Sequence, residues 1–300
     1  ESTTTASAPE ASAATVGQSG VQDETSNPNI VQVAVGNKDF STLVTAVKAA
    51  GLVDALSNAG PFTVFAPTNA AFDQLFADLG VSGLSDLSAE TLKPILLYHV
   101  VSSKVLSTQL QDGYVSTLSE GPQQNKVSLQ VSKQEVKLNG TVSITSVDLL
   151  ASNGVIHVID KVLLPPTVVG IAVNNVQFST LVQAVVKADL AGTLSGTGPF
   201  TVFAPTNAAF SALFADLGVT GVTDLTKEQL TPILLYHVVS GNVLSSQLSS
   251  GSVTTLNGSL DVSVGMDITL NGSTKVIVGN VQGTNGVIHA IDKVLLPAAK

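Results

Sequence analysis

The 300-residue sequence predicts two tandem α+β domains, and three observations predict them. A block of thirteen residues, Gly60–Phe72, recurs letter for letter at Gly198–Phe210. Each copy is followed first by a helical pattern and then by segments with the period-two alternation of β-strands. The order of all these segments in the first half is repeated in the second half. We therefore expect one domain at 30–165 and another at 166–300.

Residues 1–29 precede both domains and differ from them in composition. They are rich in Ser, Thr and Ala, carry four acidic residues, and contain no lysine and no aromatic residue. Such a segment buries too little apolar surface to offset the entropy of ordering, so we interpret it as a disordered stalk. A frayed terminus without a function is the alternative. Because the chain starts at Glu1 rather than Met, we also expect that a targeting segment or a lipid-bearing residue lay upstream.

The repeated block predicts a strand, a turn and a helix. Phe62–Phe65 is a short run of residues that favour β-structure. Pro67 ends it because proline has no N–H for the ladder. Thr68 or Asn69 is a good N-cap for the amphipathic helix that follows, and Gly80 is typical of a helix C-terminus.

Further helices flank this block on both sides. Ile30–Val35 is short and apolar. Asp39 can cap a helix that continues to about residue 50, and Leu52–Leu56 adds another helical turn. After the block, Ser88 starts a helix that reaches Leu97, and a strand and a short helical segment complete this half of the domain.

The remainder of the first domain predicts a sheet. Asn139-Gly140 favours a tight hairpin turn. Val155–Ile159 is apolar on both faces, so we place it at the centre of the sheet. Four other segments alternate apolar with polar residues, as half-buried antiparallel strands do: Tyr114–Leu118, Val127–Val131, Glu135–Leu138 and Thr141–Ile144.

The second domain repeats these signals, first at an offset of 138 residues and finally at 132, so six residues have been lost in its hairpin region. Loops absorb such deletions. Thr226 and Gln229 form a capping-box pattern. The linker around Pro165-Pro166 is short and stiff, which predicts that the two domains touch or keep a limited range of orientations.

Composition excludes several classes of function. All thirteen basic residues are lysines and the net charge is −9, which argues against binding nucleic acid. Without cysteine there is no disulfide, thiolate metal site or cysteine nucleophile. No apolar run approaches the roughly 20 residues of a membrane span. No catalytic or phosphate-binding motif is present, so we predict a non-enzymatic protein without a cofactor.

Three blocks stand in the same order in both halves and carry a family resemblance. The sequence resembles the fasciclin (FAS1) domain, twice, over 30–300. The resemblance implies a compact β-sheet wedge packed with several short α-helices, and an extracellular or cell-surface adhesion module that is not an enzyme. The blocks are GPFTVFAPTN at 60–69 and 198–207, LLYHVV at 96–101 and 234–239, and NGVIH(V/A)IDKVLLP at 153–165 and 285–297.

Two spots match family positions tied to partner binding. One is the Tyr-His pair of the middle block, a region implicated in integrin binding in animal members. The other is an Asp-Ile pair before the last block, which here reads Asp-Leu in the first domain and Asn-Val in the second. The second domain thus departs further from an integrin-type site. The partner-binding candidates are Tyr98, His99, Asp148, Leu149, Tyr236, His237, Asn280 and Val281.

Polar residues in the blocks and in the turns between them suggest other roles. The four histidines, His99, His157, His237 and His289, are too few and too scattered for a convergent metal site, so we predict none. We interpret them as buried, hydrogen-bonded groups that could sense pH. Three glycosylation sequons lie in predicted turns and matter only in a eukaryotic host; they begin at Asn139, Asn257 and Asn271.

Two functions follow as hypotheses. The first is adhesion, in which a protein that is secreted or anchored at the cell surface binds an extracellular protein or glycan. The second is binding of an apolar small molecule, such as a carotenoid or lipid, in a surface groove or inter-domain cleft. Some algal fasciclin-like proteins bind carotenoids, and this chain is rich in aliphatic residues.

Overall fold

The computed structural model describes residues 27–297, in which each half of the chain forms one seven-stranded sheet covered by short helices. The predicted α+β architecture is therefore confirmed for both halves. The predicted stalk lies outside the described residues except for its last three. Of those, Asn29 caps the first helix, with its side chain accepting from the N–H of Gln32 at 2.9 Å.

The first half runs from helices into a sheet. Its helices are α1 Ile30–Val35, α2 Ser41–Ala49, α3 Val53–Ser57, α4 Asn69–Leu79 and α5 Ala89–Tyr98. Its strands are β1 Phe62–Pro67, β2 Val100–Val101, β3 Gly113–Glu120, β4 Lys126–Ser132, β5 Lys137–Leu138, β6 Val142–Ala151 and β7 Gly154–Ile159. The predicted short helical segment after β2 is a 3₁₀ turn at Ser107–Gln109.

The spatial strand order is β2-β1-β7-β6-β5-β4-β3. Strand β7 pairs in parallel with β1 and antiparallel with β6. The prediction of a central strand is thus confirmed: Val155 and Ile156 are buried on opposite faces. Burial on both faces explains why this strand carries no polar alternation.

The local signals of the repeated block correspond to real caps. The hydroxyl of Thr68 accepts from the N–H of Ala71 at 3.3 Å, so Thr68 rather than Asn69 is the N-cap. Gly80 ends α4 with φ of 67°, in the left-handed region that favours glycine. Asn139 and Gly140 both have positive φ, 46° and 68°, as the predicted tight hairpin turn requires.

The prediction that Asp39 caps a helix is wrong. A 3₁₀ turn at Lys38–Phe40 precedes α2, and its cap is Asn37, whose side chain accepts from the N–H of Asp39 at 3.0 Å. Asn37 has the extended backbone that a capping residue needs, whereas Asp39 already lies inside the turn. The apolar run Ile30–Val35, whose structure the sequence left open, is a helix that lays Ile30 and Ala34 on the core.

The second half repeats this architecture. Its helices are α6 Val168–Asn174, α7 Ser179–Lys187, α8 Ala191–Leu194, α9 Asn207–Leu217 and α10 Lys227–Tyr236. Its strands are β8 Phe200–Pro205, β9 Val238–Ser240, β10 Gly251–Thr255, β11 Gly258–Val264, β12 Ile268–Leu270, β13 Thr274–Gly283 and β14 Gly286–Ile291. The strand order, β10-β11-β12-β13-β14-β8-β9, is that of the first sheet in reverse. The predicted capping box of Thr226 and Gln229 is present.

Each half has two apolar clusters. In the first half, Phe40 and Phe72 belong to the cluster between the helices and the sheet. Tyr98 and Leu129 belong to a second cluster on the strand-rich side. The second half has the same division. Successive side chains of a strand point to opposite faces of the sheet. A strand with one face in a cluster therefore alternates apolar with polar residues.

The two halves are in contact, as the short linker predicts. The side chain of Asn175 donates to the hydroxyl of Tyr114 at 2.7 Å, and the N–H of Gln282 donates to the hydroxyl of Ser128 at 3.0 Å. The turn between β3 and β4 also reaches the second half, because Gly121 lies against the backbone of Gly283. This turn spans 121–125, whereas its counterpart in the second half is 256–257. The two domains therefore differ in this hairpin turn, and the longer turn of the first domain is the one that contacts the second domain.

Candidate functional site

The Tyr-His pairs lie in the interior. Tyr98 is fully buried, and its hydroxyl donates to the carbonyl of Ser128 at 2.9 Å. Tyr236 is also buried, and its hydroxyl donates to the carbonyl of Ser259 at 2.8 Å. Burial raises the pKa of Tyr98 above its ordinary value. Both tyrosines therefore join a helix end to the sheet. Direct contact of these rings with a partner stays a prediction, and their burial argues against it.

His99 and His237 are locked as neutral rings. Nδ1 of His99 donates to the carbonyl of Ile95 at 2.8 Å, and Nε2 accepts from the N–H of Leu163 at 2.9 Å. His237 makes the same pair of bonds, to Ile233 and Leu295. Burial lowers the pKa of each histidine to about 4, because a proton on Nε2 would face a backbone N–H in an apolar interior.

His157 and His289 form a second equivalent pair. Nε2 of His157 donates to the carbonyl of Val105 at 2.9 Å, and that of His289 to the carbonyl of Val243 at 2.9 Å. The Nδ1 atoms accept from the N–H groups of Asp148 and Asn280, respectively. Burial lowers the pKa of His289. The sequence-based interpretation of the histidines as buried and hydrogen-bonded is confirmed for all four.

Asp148 lies in an irregularity of β6, where the pairing with β7 shifts register. Its φ of 60° turns the side chain toward Ser107, and the carboxylate accepts from both the N–H and the hydroxyl of that serine. These bonds lower the pKa of Asp148. Asn280 occupies the same position in the second half with φ of 62°, accepting from the N–H of Ser245 at 2.7 Å and donating to its hydroxyl at 2.8 Å. Asparagine therefore keeps the geometry and removes the charge.

This irregular segment is the part of the candidate set that reaches the surface. The side chain of Asp148 is 32% exposed, and beside it Val147 and Leu150 are 41% and 62% exposed. Leu149 is half-buried. In the second half Asn280 is exposed but Val281 is buried, and the position matching Leu150 is Gln282, which is buried against the first half. The first domain alone thus presents an acid between two exposed aliphatic side chains.

The three sequons differ in exposure. Asn139 is buried, and its amide donates to the hydroxyl of Tyr98 at 3.0 Å. The amide of Asn257 donates to the carbonyl of Pro232 at 2.9 Å, and that of Asn271 donates to the hydroxyl of Tyr236 at 3.1 Å. Glycosylation at these residues stays a prediction, and in the folded chain each amide nitrogen is engaged in a hydrogen bond.

Ser107, Asp148 and His157 lie close together but not as a nucleophilic triad. The serine hydroxyl donates to the carboxylate, and His157 uses Nδ1 to accept a backbone N–H, so no base is directed at the serine oxygen. Among residues 27–297 no group of three or more His, Cys, Asp or Glu side chains is placed to hold a metal ion.

The structure adds two residues that the sequence analysis did not single out. Asn153 and Asn285 begin the last repeated block in each half. Asn153 accepts from the N–H of Ile30 at 2.9 Å and donates to the carbonyl of Leu56 at 2.8 Å. Asn285 makes the equivalent bonds to Val168 and Leu194. Their presence at the same place in both copies is the signal that could have identified them as structural residues.

Each half contains an apolar cavity between its first three helices and the sheet. The cavity in the first half has a volume of about 40 Å³, and that in the second about 200 Å³. Both are lined by aliphatic side chains and by one histidine, His99 or His237, and Lys48 also borders the first cavity.

The fold and these sites define the class of protein as a tandem pair of α+β domains. The model of the fasciclin domain matches the chain at 38–165 and again at 176–297. The chain therefore belongs to the fasciclin family and contains two fasciclin domains.

Relatives come from cyanobacteria and animals. The protein sll1483 of Synechocystis sp. is 51% identical over 137 residues, which cover 46% of this chain and 73% of that protein. The transforming growth factor-beta-induced protein ig-h3 of Sus scrofa is 34% identical over 254 residues, covering 79% of this chain and 35% of that protein. Human periostin is 31% identical over 263 residues, which cover 83% of this chain and 30% of that protein. The chain thus spans about a third of the length of these two animal relatives.

A solved structure shows the same fold. It is a FAS1 domain pair from the insect cell adhesion molecule Fasciclin I, with a TM-score of 0.50 and 20% identity, covering 87% of this chain and 98% of that one. Within residues 27–297 no single helix has the length and apolar character to cross a membrane. One bent pair, Val168–Asn174 with Val176–Lys187, meets those criteria jointly at an angle of 105°.

Proposed function

We propose that this protein is a non-enzymatic adhesion module of the cell exterior, secreted or anchored at the surface, which binds an extracellular protein or glycan. The family supports this, because a solved relative is named as a cell adhesion molecule. The domain limits 30–165 and 166–300 and the stalk at 1–29 are part of the same proposal. The two domains would act as one unit presented away from the surface.

The observation that carries the proposal is the exposed segment around Asp148 in the first domain. A partly exposed carboxylate fixed by Ser107 lies between Val147 and Leu150, two aliphatic side chains exposed to solvent. An ordered charge with apolar neighbours suits a protein partner, because complementary charge selects the partner and apolar contact adds affinity. We propose this segment, rather than the buried rings of Tyr98 and His99, as the contact surface.

Attachment of cells or matrix fragments to immobilised protein tests the proposal. Asp148→Asn removes the charge while keeping the hydrogen bonds that Asn280 already makes in the second domain. Leu150→Gln introduces the residue of the matching position. We expect both substitutions to reduce attachment several-fold, and Lys133→Gln, on an exposed turn, to leave it unchanged. Equal attachment by wild type and both variants would contradict this placement.

A second candidate is the binding of an apolar small molecule. The observation that favours it is the aliphatic lining of the cavity in the second domain, which lies inside the domain rather than in an inter-domain cleft. Binding of a carotenoid or lipid in a surface groove stays a prediction, and we assign no groove to it.

A further inference from the structure

We propose that the cavity of the second domain is a binding site for a single hydrocarbon chain, such as the acyl chain of a free fatty acid, and that the first domain has no such site. The inference rests on the second candidate function, apolar small-molecule binding, and names its ligand class; it does not depend on adhesion. It is carried by the size, the lining and the rim of the cavity, each compared with the matching cavity of the first domain.

The lining excludes polar ligands. Every residue around the cavity is aliphatic except His237. Both ring nitrogens of His237 are already bonded, one to the carbonyl of Ile233 and the other to the N–H of Leu295. A ligand group inside the cavity therefore finds no free donor or acceptor, so burying a polar group there would leave it unsatisfied. Only a hydrocarbon portion fits this chemistry.

Two substitutions between the repeats contribute to the larger volume. Val168 and Ala191 line this cavity at the positions where Ile30 and Val53 line the smaller one. Together these replacements remove three carbon atoms from the second cavity. The other aliphatic residues around the two cavities are the same types at matching positions, including Leu194 for Leu56 and Val202 for Val64.

The rim differs in the same sense. Lys48 borders the first cavity, and Val186 stands at that position in the second. Val186 is 63% exposed, and Val173, which also lines the second cavity, is 60% exposed. The counterpart of Val173 in the first domain, Val35, is 59% exposed, so the difference between the two rims is the exchange of Lys48 for Val186. An apolar path therefore leads from the cavity to the solvent. A long chain that leaves this cavity contacts the apolar side chain of Val186, whereas at the first cavity the matching residue is the charged Lys48.

The volume sets the length of the buried portion. An apolar cavity of about 150 Å³ takes up benzene, which has six carbons. By proportion, about 200 Å³ takes up roughly eight carbons. A C10 chain would then bury most of its methylene groups and leave its carboxylate beyond the valine rim. Decanoate is therefore a suitable probe.

Titration of the full chain with decanoate tests the proposal. Binding is measured by calorimetry and by methyl NMR. Val168→Ile with Ala191→Val fills the cavity with the residues that the first domain carries. Ile30→Val with Val53→Ala and Lys48→Val makes the opposite exchange in the first domain. We expect one site in the wild type, a dissociation constant at least tenfold higher in the filled variant, and a second site in the opened variant. Thermal melts verify that each variant is folded.

Contacts seen directly by NMR keep the test independent of the variants. Magnetisation transfer from the decanoate chain to the methyl groups of Leu194 and Val202 supports the site. Absence of binding to the wild type, or equal binding by wild type and filled variant, overturns it. Binding that requires phosphatidylcholine vesicles and is absent with free decanoate also overturns it, because the proposed ligand is a free single chain. A loss of cell attachment without a change in decanoate binding would concern adhesion alone.

Discussion

The side-chain oxygen of Asn153 accepts a hydrogen bond from the backbone N–H of Ile30 at 2.9 Å, across 123 residues of sequence. Its amide donates to the carbonyls of Leu56 and Asn58 at 2.8 and 2.7 Å. One buried side chain thus joins the first helix, the end of α3 and the final hairpin of the domain. Asn285 does the same in the second domain.

We expect Asn153→Ala to lower the free energy of unfolding by about 3 kcal/mol or more. The substitution leaves buried backbone donors and acceptors without partners, at roughly 1–3 kcal/mol each. Urea denaturation followed by circular dichroism measures the loss. Asn58→Ala, at an exposed position that contributes only its carbonyl, is the matched control and should change stability little. A loss below about 1 kcal/mol for Asn153→Ala would show that water replaces these bonds.

Stability should fall as the pH is lowered, because His99 and His237 have a pKa of about 4 in the folded chain against an ordinary value of 6.5. The unfolded chain therefore binds more protons between these values. The stabilising contribution is complete above about pH 6.5 and is lost as the pH falls toward 4. Each histidine accounts for about 2 kcal/mol between pH 8 and pH 5.

Denaturation midpoints at pH 8, 6.5 and 5 measure this dependence. His237→Gln should flatten it by the contribution of one histidine, although the variant is itself less stable. The window lies above the range in which carboxylates such as Asp148, whose pKa is lowered by Ser107, begin to contribute. A free energy of unfolding that stays constant from pH 8 to 5 would rule out the idea that these buried histidines sense pH.

Filling the second cavity should stabilise the ligand-free protein. Ala191→Val adds two carbons next to a void of about 200 Å³, so we expect a gain of about 1 kcal/mol, since each buried methylene contributes about 0.8 kcal/mol and some strain offsets it. Thermal melts without added decanoate measure the gain. Val53→Ala in the first domain, where the cavity is about 40 Å³, should have the opposite effect. Destabilisation by Ala191→Val would mean that the cavity cannot accept a chain of this width.

Apart from the cap expected at Asp39, local sequence signals predicted local structure, whereas they did not reveal distant contacts. The caps at Thr68 and Gly80 and the turn at Asn139-Gly140 depend only on neighbouring residues, so the pattern was sufficient. The contact of Asn153 with Ile30 joins positions far apart in sequence, and no spacing rule reveals it.

The candidate site shows the same limit. The family resemblance identified the Tyr-His pair, but only the packed structure shows that Tyr98 is buried while Leu150 is exposed. The two cavities differ by exchanges among apolar side chains, which leave hydrophobic patterns unchanged. Volume differences of this kind depend on packing and cannot be read from periodicity.

The contact between the domains should depend on Gly121. A Cβ atom at this position would lie 2.4 Å from the carbonyl oxygen of Gly283, closer than atoms can approach, so Gly121→Ala must move the two backbones apart. The nearby hydrogen bonds of Ser128 with Gln282 and of Tyr114 with Asn175 should then weaken, and the range of domain orientations should widen. Small-angle scattering and the distance between spin labels on the two domains measure this widening.

Gly83→Ala, with no atom within 4 Å of its added carbon, is the control. If the label distance keeps the same mean and width in Gly121→Ala, the turn at 121–125 does not hold the domains together, and the orientation must be set by the linker and by Tyr114 with Asn175.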